Sequence, residues 1–219
     1  MDQMERFIAM EQWKVEQVQP ADIEKRSFEI ITKELGERAF SKEEELVVKR
    51  AIHTTADFDY ADNLVFSQNA VQIGIQELRN GTHIITDTNM GLAGINKSAM
   101  KKWGVEAHCF MADEDVAVAA KKNGTTRAVA SMDKAAALGG DFIYAIGNAP
   151  TALIRLYELI REGKISPRLI IGVPVGFVNV EISKEMILTL KETPYIVAKG
   201  RKGGSNLAAA ICNAMLYQL

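Results

Sequence analysis

The sequence predicts an α/β protein built on a mostly parallel, five-stranded sheet. Three observations carry that reading. From Thr82 onward, short runs rich in Ile, Val and Ala (83–86, 105–110, 142–146, 169–173 and 195–198) alternate with longer segments of helical periodicity. The runs are apolar almost throughout, as in strands covered on both faces. Their junctions are punctuated by Gly104, Gly124, Gly139, Pro150 and Gly163. The chain has 219 residues, 47% hydrophobic and 25% charged, enough to build one full core, so 1–219 is expected to form a single domain.

Taken in order, residues 1–20 are weakly patterned and end at Pro20, consistent with an arm or a short edge element. A helix is expected from about Ala21 to Gly36, with Ile23, Phe28, Ile31 and Leu35 inward and Gly36 as its stop. It carries Arg26 and Ser27. A second helix opens at Ser41, where Glu44 three residues on makes a capping box, and Leu46, Val47 and Ile52 give it an apolar face. It closes in Arg50-Ala51-Ile52-His53-Thr54-Thr55-Ala56-Asp57. Asp57 to Tyr60 is a polar-aromatic connection, and a third helix spans Ser67 to Gly81. The first strand (83–86) then leads through a Gly-rich turn into a helix ending near Trp103-Gly104. After the second strand (105–110) come one or two helices with stops at Gly124 and Gly139. The third strand (142–146) precedes a helix from Pro150 to about Glu162, with Pro in its first turn and Gly163 beyond its end. The fourth strand (169–173), a helix from about Ser183 to Glu192, the fifth strand (195–198) and a helix from Ser205 complete the chain. Five strands in this alternation point to a flavodoxin-like three-layer α/β/α order, with the N-terminal helices part of the same unit.

Composition excludes several classes. A formal net charge of -2 lacks the basic excess of a nucleic-acid binder. No apolar run reaches the ~18 residues of a membrane span, and the opening MDQMERFIAM does not read as a secretory signal. The two cysteines, Cys109 and Cys212, have no metal-site spacing and sit in apolar runs, as buried reduced thiols of a cytoplasmic protein do. Asp57, Asp59 and Asp62 match no Ca²⁺ loop and read as solvated carboxylates. His83 and His108 lie in or beside strands without a partner motif and read as structural.

The candidate chemistry begins at the end of the second helix. Arg50 and His53 are three apart and share a face, which sets a fixed cation beside an imidazole that titrates near neutrality. Helical Arg and His are often ordinary surface or packing groups, so the weight comes from the loops. In an open parallel sheet, ligands bind beyond the carboxyl ends of the strands. The segments there are Thr86-Asp87-Thr88-Asn89-Met90-Gly91, Gly147-Asn148-Ala149-Pro150-Thr151, Pro174-Val175-Gly176-Phe177-Val178 and Gly200-Arg201-Lys202-Gly203-Gly204-Ser205-Asn206. Each mixes small residues with hydrogen-bonding ones, and helix N-termini beyond them would present N–H groups to anions. The last lacks P-loop spacing, so a nucleotide-binding regulator is a weak reading. Arg127, at the expected start of a helix, opposes the helix dipole, which hints at a purpose beyond that of a solvated surface residue, the other reading of it.

Together these segments resemble the precorrin-8X methylmutase family of cobalamin biosynthesis, including its cobalt-precorrin-8 branch. The matching stretches are KRSF, RAIHTTAD, TDTNM, NGTTR, IGNAPTAL, PVGFV and GRKGGSNLAAA, in family order across nearly the whole chain. The resemblance implies a 1,5-sigmatropic methyl shift on a tetrapyrrole, with no protein-bound cofactor or metal. It places the proton-handling histidine on His53, the substrate-binding serine and arginine on Ser27 and Arg50, and a carboxylate contact on Arg127. Arg26, Thr54, Thr86, Thr88, Asn148, Gly203 and Ser205 complete the expected substrate-binding set. It also implies a homodimer with active sites near the interface. One departure stands out: where the family has Glu-Ser-Lys, this chain has Ile182-Ser183-Lys184, with Glu181 adjacent. A non-catalytic tetrapyrrole carrier is the alternative.

Overall fold

The computed structural model describes residue 13 and residues 15–219. The expected arm over 1–20 therefore lies largely outside the described residues. Contacts divide the chain into two compact units, Met1–Glu37 and Arg38–Leu219. The first holds a 3₁₀ turn at Pro20–Asp22 and helix α1 (Ile23–Leu35), which ends at Gly36 with φ of 62°. Ile31 and Leu35 are buried, whereas Ile23 is exposed, contrary to the sequence expectation.

The second unit starts with α2 (Lys42–Thr55). Its capping box is formed as the sequence predicts: Glu44 N–H donates to Ser41 Oγ at 3.2 Å, and Ser41 N–H donates to the Glu44 carboxylate at 3.0 Å. Its buried face is Val47, Val48, Ala51 and Ile52, with Leu46 left exposed. Then follow α3 (Tyr60–Asn63), β1 (Leu64–Phe66), α4 (Ala70–Arg79), β2 (Ile84–Thr86), α5 (Asn89–Gly94), α6 (Lys97–Lys102) and β3 (Ala107–His108). The chain continues through α7 (Glu114–Asn123), α8 (Arg127–Ala137), β4 (Ile143–Ile146), α9 (Pro150–Arg161), β5 (Leu169–Gly172), α10 (Val180–Leu188), β6 (Tyr195–Ala198) and α11 (Ser205–Leu216). Among the described residues no helix is long and apolar enough to cross a membrane.

Among the described residues the sheet has six strands in the order β1-β6-β5-β4-β2-β3, so the five-strand expectation is corrected. The five predicted strands are all present and pair in parallel. The added one, β1, runs antiparallel to β6, with Leu64 opposite Ala198 and Phe66 opposite Ile196. Three residues are too few for a periodic signal, and β1 exists as a strand because β6 is there to pair with it.

Helices cover both faces. Alternation sends Ile85, Tyr144, Ile146, Ile170 and Val197 into a core shared with Met132 of α8, Leu153 and Leu156 of α9, and Ile187 of α10. On the other face lie α4 and α11. Gly74 of α4 approaches so closely that an added Cβ would stand 2.5 Å from Met215 Sδ and 2.8 Å from Leu169 Cδ2. Helix α2 packs along α11, which in turn contacts β4 and β5.

Candidate active site

The loops after β2, β4, β5 and β6 do converge on one edge of the sheet, and a buried acid joins two of them. Asp87, 1% exposed, follows β2 and accepts three backbone N–H bonds from the loop after β4. Gly147 N donates to Oδ1 at 2.9 Å, and Asn148 N and Ala149 N donate to Oδ2 at 2.8 and 2.6 Å. Burial pushes the Asp87 pKa up, against the pull of these donors. The consequence corrects one expectation. These N–H groups, just ahead of α9, are already occupied by the protein's own carboxylate and do not await a ligand anion.

The remaining loops pack backbone to backbone. A Cβ on Gly147 would lie 2.6 Å from Ser205 Cα, and one on Gly203 would lie 2.1 Å from the Val173 carbonyl oxygen. Only glycine allows these approaches. Gly204 N–H donates to that same Val173 oxygen at 2.9 Å, and Gly176 N–H donates to the Arg201 oxygen at 3.2 Å. Thr88 caps α5 by accepting from Gly91 N–H at 2.9 Å, and its hydroxyl lies 2.7 Å from that of Ser205, which begins α11. Thr86 is buried, and its hydroxyl faces the Thr88 and His108 carbonyls, so it shapes the loop from beneath.

Two lysines fix the loop after β6. Lys184, only 1% exposed, donates to the carbonyls of Gly200 (2.7 Å) and Lys202 (2.8 Å). Desolvation lowers its pKa to about 8. Lys202 Nζ in turn lies 2.6 Å from both Asp57 Oδ2 and Asp59 Oδ2. The bond from Lys202 holds the Asp57 carboxyl below the ordinary range, and the two carboxylates raise the Lys202 pKa.

Asp57 closes the segment that carries the candidate catalyst. Helix α2 ends at Thr55, and Ala56 takes the left-handed φ of 53° while its N–H returns to the Ile52 carbonyl at 2.7 Å. His53, half-buried, is in the last turn, with Thr54 exposed beside it. Arg50 sits over the Tyr217 ring, 5.1 Å from Cζ to the centroid. Helix α2 is thus joined to the α11 region at Arg50 and at Asp57, with the His53 end of the helix beside the loops.

Other expected residues are distributed as follows. Arg127 is exposed at the first turn of α8, whose cap Thr126 accepts from Val129 N–H and lies 3.1 Å, hydroxyl to hydroxyl, from Thr151 of α9. Asn148 is exposed on the same edge. Arg26 pairs with Glu16 and Glu29 within the N-terminal unit, and Ser27 is half-buried there. His83 accepts from Glu106 N–H at 3.1 Å and meets His108 edge to face, as structural histidines. Cys212 is buried, but Cys109 is only half-buried, contrary to expectation. The acids read as solvated are paired: Asp57 and Asp59 with Lys202, Asp62 with Arg38. Sequence reasoning missed Asp87, Lys184 and Lys202. The rim itself is open, with Met90, Phe177 and Val178 at 71%, 83% and 78% exposure, and Arg201 lies over the Phe177 ring.

Comparison with known proteins gives one answer. The family model described as precorrin-8X methylmutase (CbiC) matches residues 22–218. The cobalt-precorrin-8 methylmutase of Leptospira interrogans is 46% identical over 202 residues, covering 89% of this chain and 92% of its own. That of Salmonella typhimurium is 45% identical, covering 92% of this chain and 96% of its own. The crystal structure of a precorrin-8x methyl mutase from Thermus thermophilus superposes with a TM-score of 0.81 at 40% identity, over 90% of this chain and 96% of that one.

Proposed function

The chain belongs to the precorrin-8X methylmutase family, and from that premise we propose how its site works. It is an isomerase of cobalamin biosynthesis that moves a methyl group within its own substrate. We infer that the substrate is cobalt-precorrin-8. Six relatives named for that substrate are 38–46% identical, whereas two named for precorrin-8X are 33–34% identical. The carrier alternative has no support among relatives that are all named for the reaction.

In this reading the tetrapyrrole lies across the open rim where the four loops meet. Arg50 and Arg127 meet its peripheral carboxylates, which suit charge-assisted bonds. Thr54, Thr86, Thr88, Asn148, Gly203 and Ser205 form or shape the surrounding polar surface, and Arg26 and Ser27 are assigned to the substrate on the sequence resemblance alone. The chain's work is to hold the ring in one geometry and to move one proton. The His53 imidazole delivers a proton to the macrocycle, the methyl group migrates to the neighbouring ring carbon in a 1,5-sigmatropic shift, and His53 takes the proton back. Such a step needs no cofactor or protein-bound metal; cobalt enters only as part of the substrate. The observation that supports this best is the tie from Asp57 to Lys202, which sets the His53 end of α2 beside the loop after β6. The parallel strands, in the order β6-β5-β4-β2-β3 with helices on both faces, support a flavodoxin-like layering. The protein is proposed to act in the cytoplasm as a homodimer, for which exposed Phe177 and Val178 offer apolar contact area.

The test is His53→Ala incubated with cobalt-precorrin-8 while the visible spectrum is followed. The variant should fold and bind the substrate, and lose turnover by roughly 10² or more, the usual worth of a positioned acid/base. Conversion at the normal rate removes the assignment.

A further inference from the structure

The two lysines of the loop after β6 act in series. The Lys184 ammonium, buried in α10, holds the carbonyls at positions 200 and 202 and so fixes the backbone from which Lys202 projects. Lys202 Nζ then reaches two carboxylates, Asp57 and Asp59, at 2.6 Å each. Asp57 is itself constrained: its N–H donates to Thr55 Oγ1 at 3.3 Å, and its Oδ1 accepts Asp59 N–H at 3.0 Å. Between Asp57 and the helix stands only Ala56, in a left-handed conformation that a side-chain-bearing residue adopts at some cost. The turn after His53 is therefore held by short-range bonds on one side and by Lys202 on the other.

We propose that Lys202 is a positioning residue: with Asp57 and Asp59 it forms a latch that fixes the end of α2, and through it the direction of the His53 imidazole relative to the substrate. The latch rests on the reading of His53 as the proton-handling group. Its members are partly exposed, with side-chain exposure of 47% for Lys202, 27% for Asp57 and 62% for Asp59. Exposed pairs add little to stability, so opening the latch should leave the fold intact while misdirecting the imidazole. A small misplacement of a catalytic group costs rate out of proportion to its energy.

The experiment measures kcat and KM for Lys202→Met, Lys202→Arg, Asp57→Asn, the Lys202→Met/Asp57→Asn double variant and His53→Asn. Melting temperature is followed in parallel. The latch predicts kcat about tenfold lower in Lys202→Met, KM and melting temperature little changed, and recovery to near wild type in Lys202→Arg, whose guanidinium can span both carboxylates. It also predicts that the double variant is no slower than the slower single one. A raised KM at unchanged kcat in Lys202→Met makes Lys202 a substrate contact and overturns the latch. Unchanged kcat and KM, with His53→Asn inactive, overturn the latch and leave the isomerase reading standing. A fully active His53→Asn removes the reading itself, and the latch with it.

Discussion

Replacing Asp87 by Asn tests how the loops of the site are held. The substitution keeps shape and removes charge. Asp87 accepts bonds from Gly147, Asn148 and Ala149 at 2.9, 2.8 and 2.6 Å, in a position 1% exposed. An Asn side chain offers one acceptor oxygen. Turned toward Asn148 and Ala149, it keeps two bonds and sets its NH₂ against the Gly147 N–H; turned the other way, it loses the pair. The better arrangement forfeits one charge-assisted bond, worth about 1.5–3 kcal/mol, and leaves a buried donor unpaired at about 1–3 kcal/mol. Relief from burying a carboxylate offsets part of this, so a net loss of roughly 2–4 kcal/mol is expected. For a chain of this size that corresponds to a melting temperature lower by roughly 5–15 °C. Denaturant unfolding at neutral pH measures the loss. Hydrogen exchange locates it, because the amides of residues 147–149 should lose protection first. Stability within about 0.5 kcal/mol of wild type, with those amides still protected, would refute the argument that the carboxylate holds the loop.

Lys184 has a pKa lowered to about 8 against an ordinary 10.5, so between those values the unfolded chain binds the extra proton and stability rises with pH. Wild type should therefore gain on Lys184→Met by about 1–3 kcal/mol from pH 8 to 10.5 in paired denaturant titrations; a flat difference contradicts this. Gly147→Ala places a Cβ 2.6 Å from Ser205 Cα and should cost about 1–3 kcal/mol in unfolding assays, together with most of the turnover. The hydroxyl contact between Thr88 and Ser205 at 2.7 Å should show a coupling of about 0.5–1.5 kcal/mol in a Thr88→Val/Ser205→Ala stability cycle. Arg50→Ala should weaken tetrapyrrole binding by roughly tenfold or more, the worth of one charge-assisted contact; unchanged affinity would make its role structural.

What could be read in advance follows a physical division. Strands such as Ile143–Ile146 and Leu169–Gly172 are buried on both faces, so their composition alone marks them. The Ser41–Glu44 cap is encoded within four residues and formed as expected. Boundaries set by tertiary pairing were not legible. Helix α10 starts at Val180, three residues before the expected Ser183, directly after Asn179 with its left-handed φ of 58°. Strand β3 spans only Ala107–His108 of the longer run expected, since it is paired on one side only, by β2. The same division holds in the site. Loops following strands could be found by their place in the chain, but a lone Asp87 in a turn looks like any solvated acid until the loop after β4 closes over it. Asp57 and Lys202 carry no shared pattern, and only the packing of α2 along α11 brings them together.

The pairing of β1 with β6, and of α2 with α11, also ties early parts of the chain to late ones. During synthesis the segment bearing His53 meets α3 and α4 soon after it emerges, but not yet α11. Strands β2, β4 and β5 can pair as they appear, but the early segment waits for the last strand and the last helix. A chain truncated before α11 would therefore leave α2 without the helix it packs along.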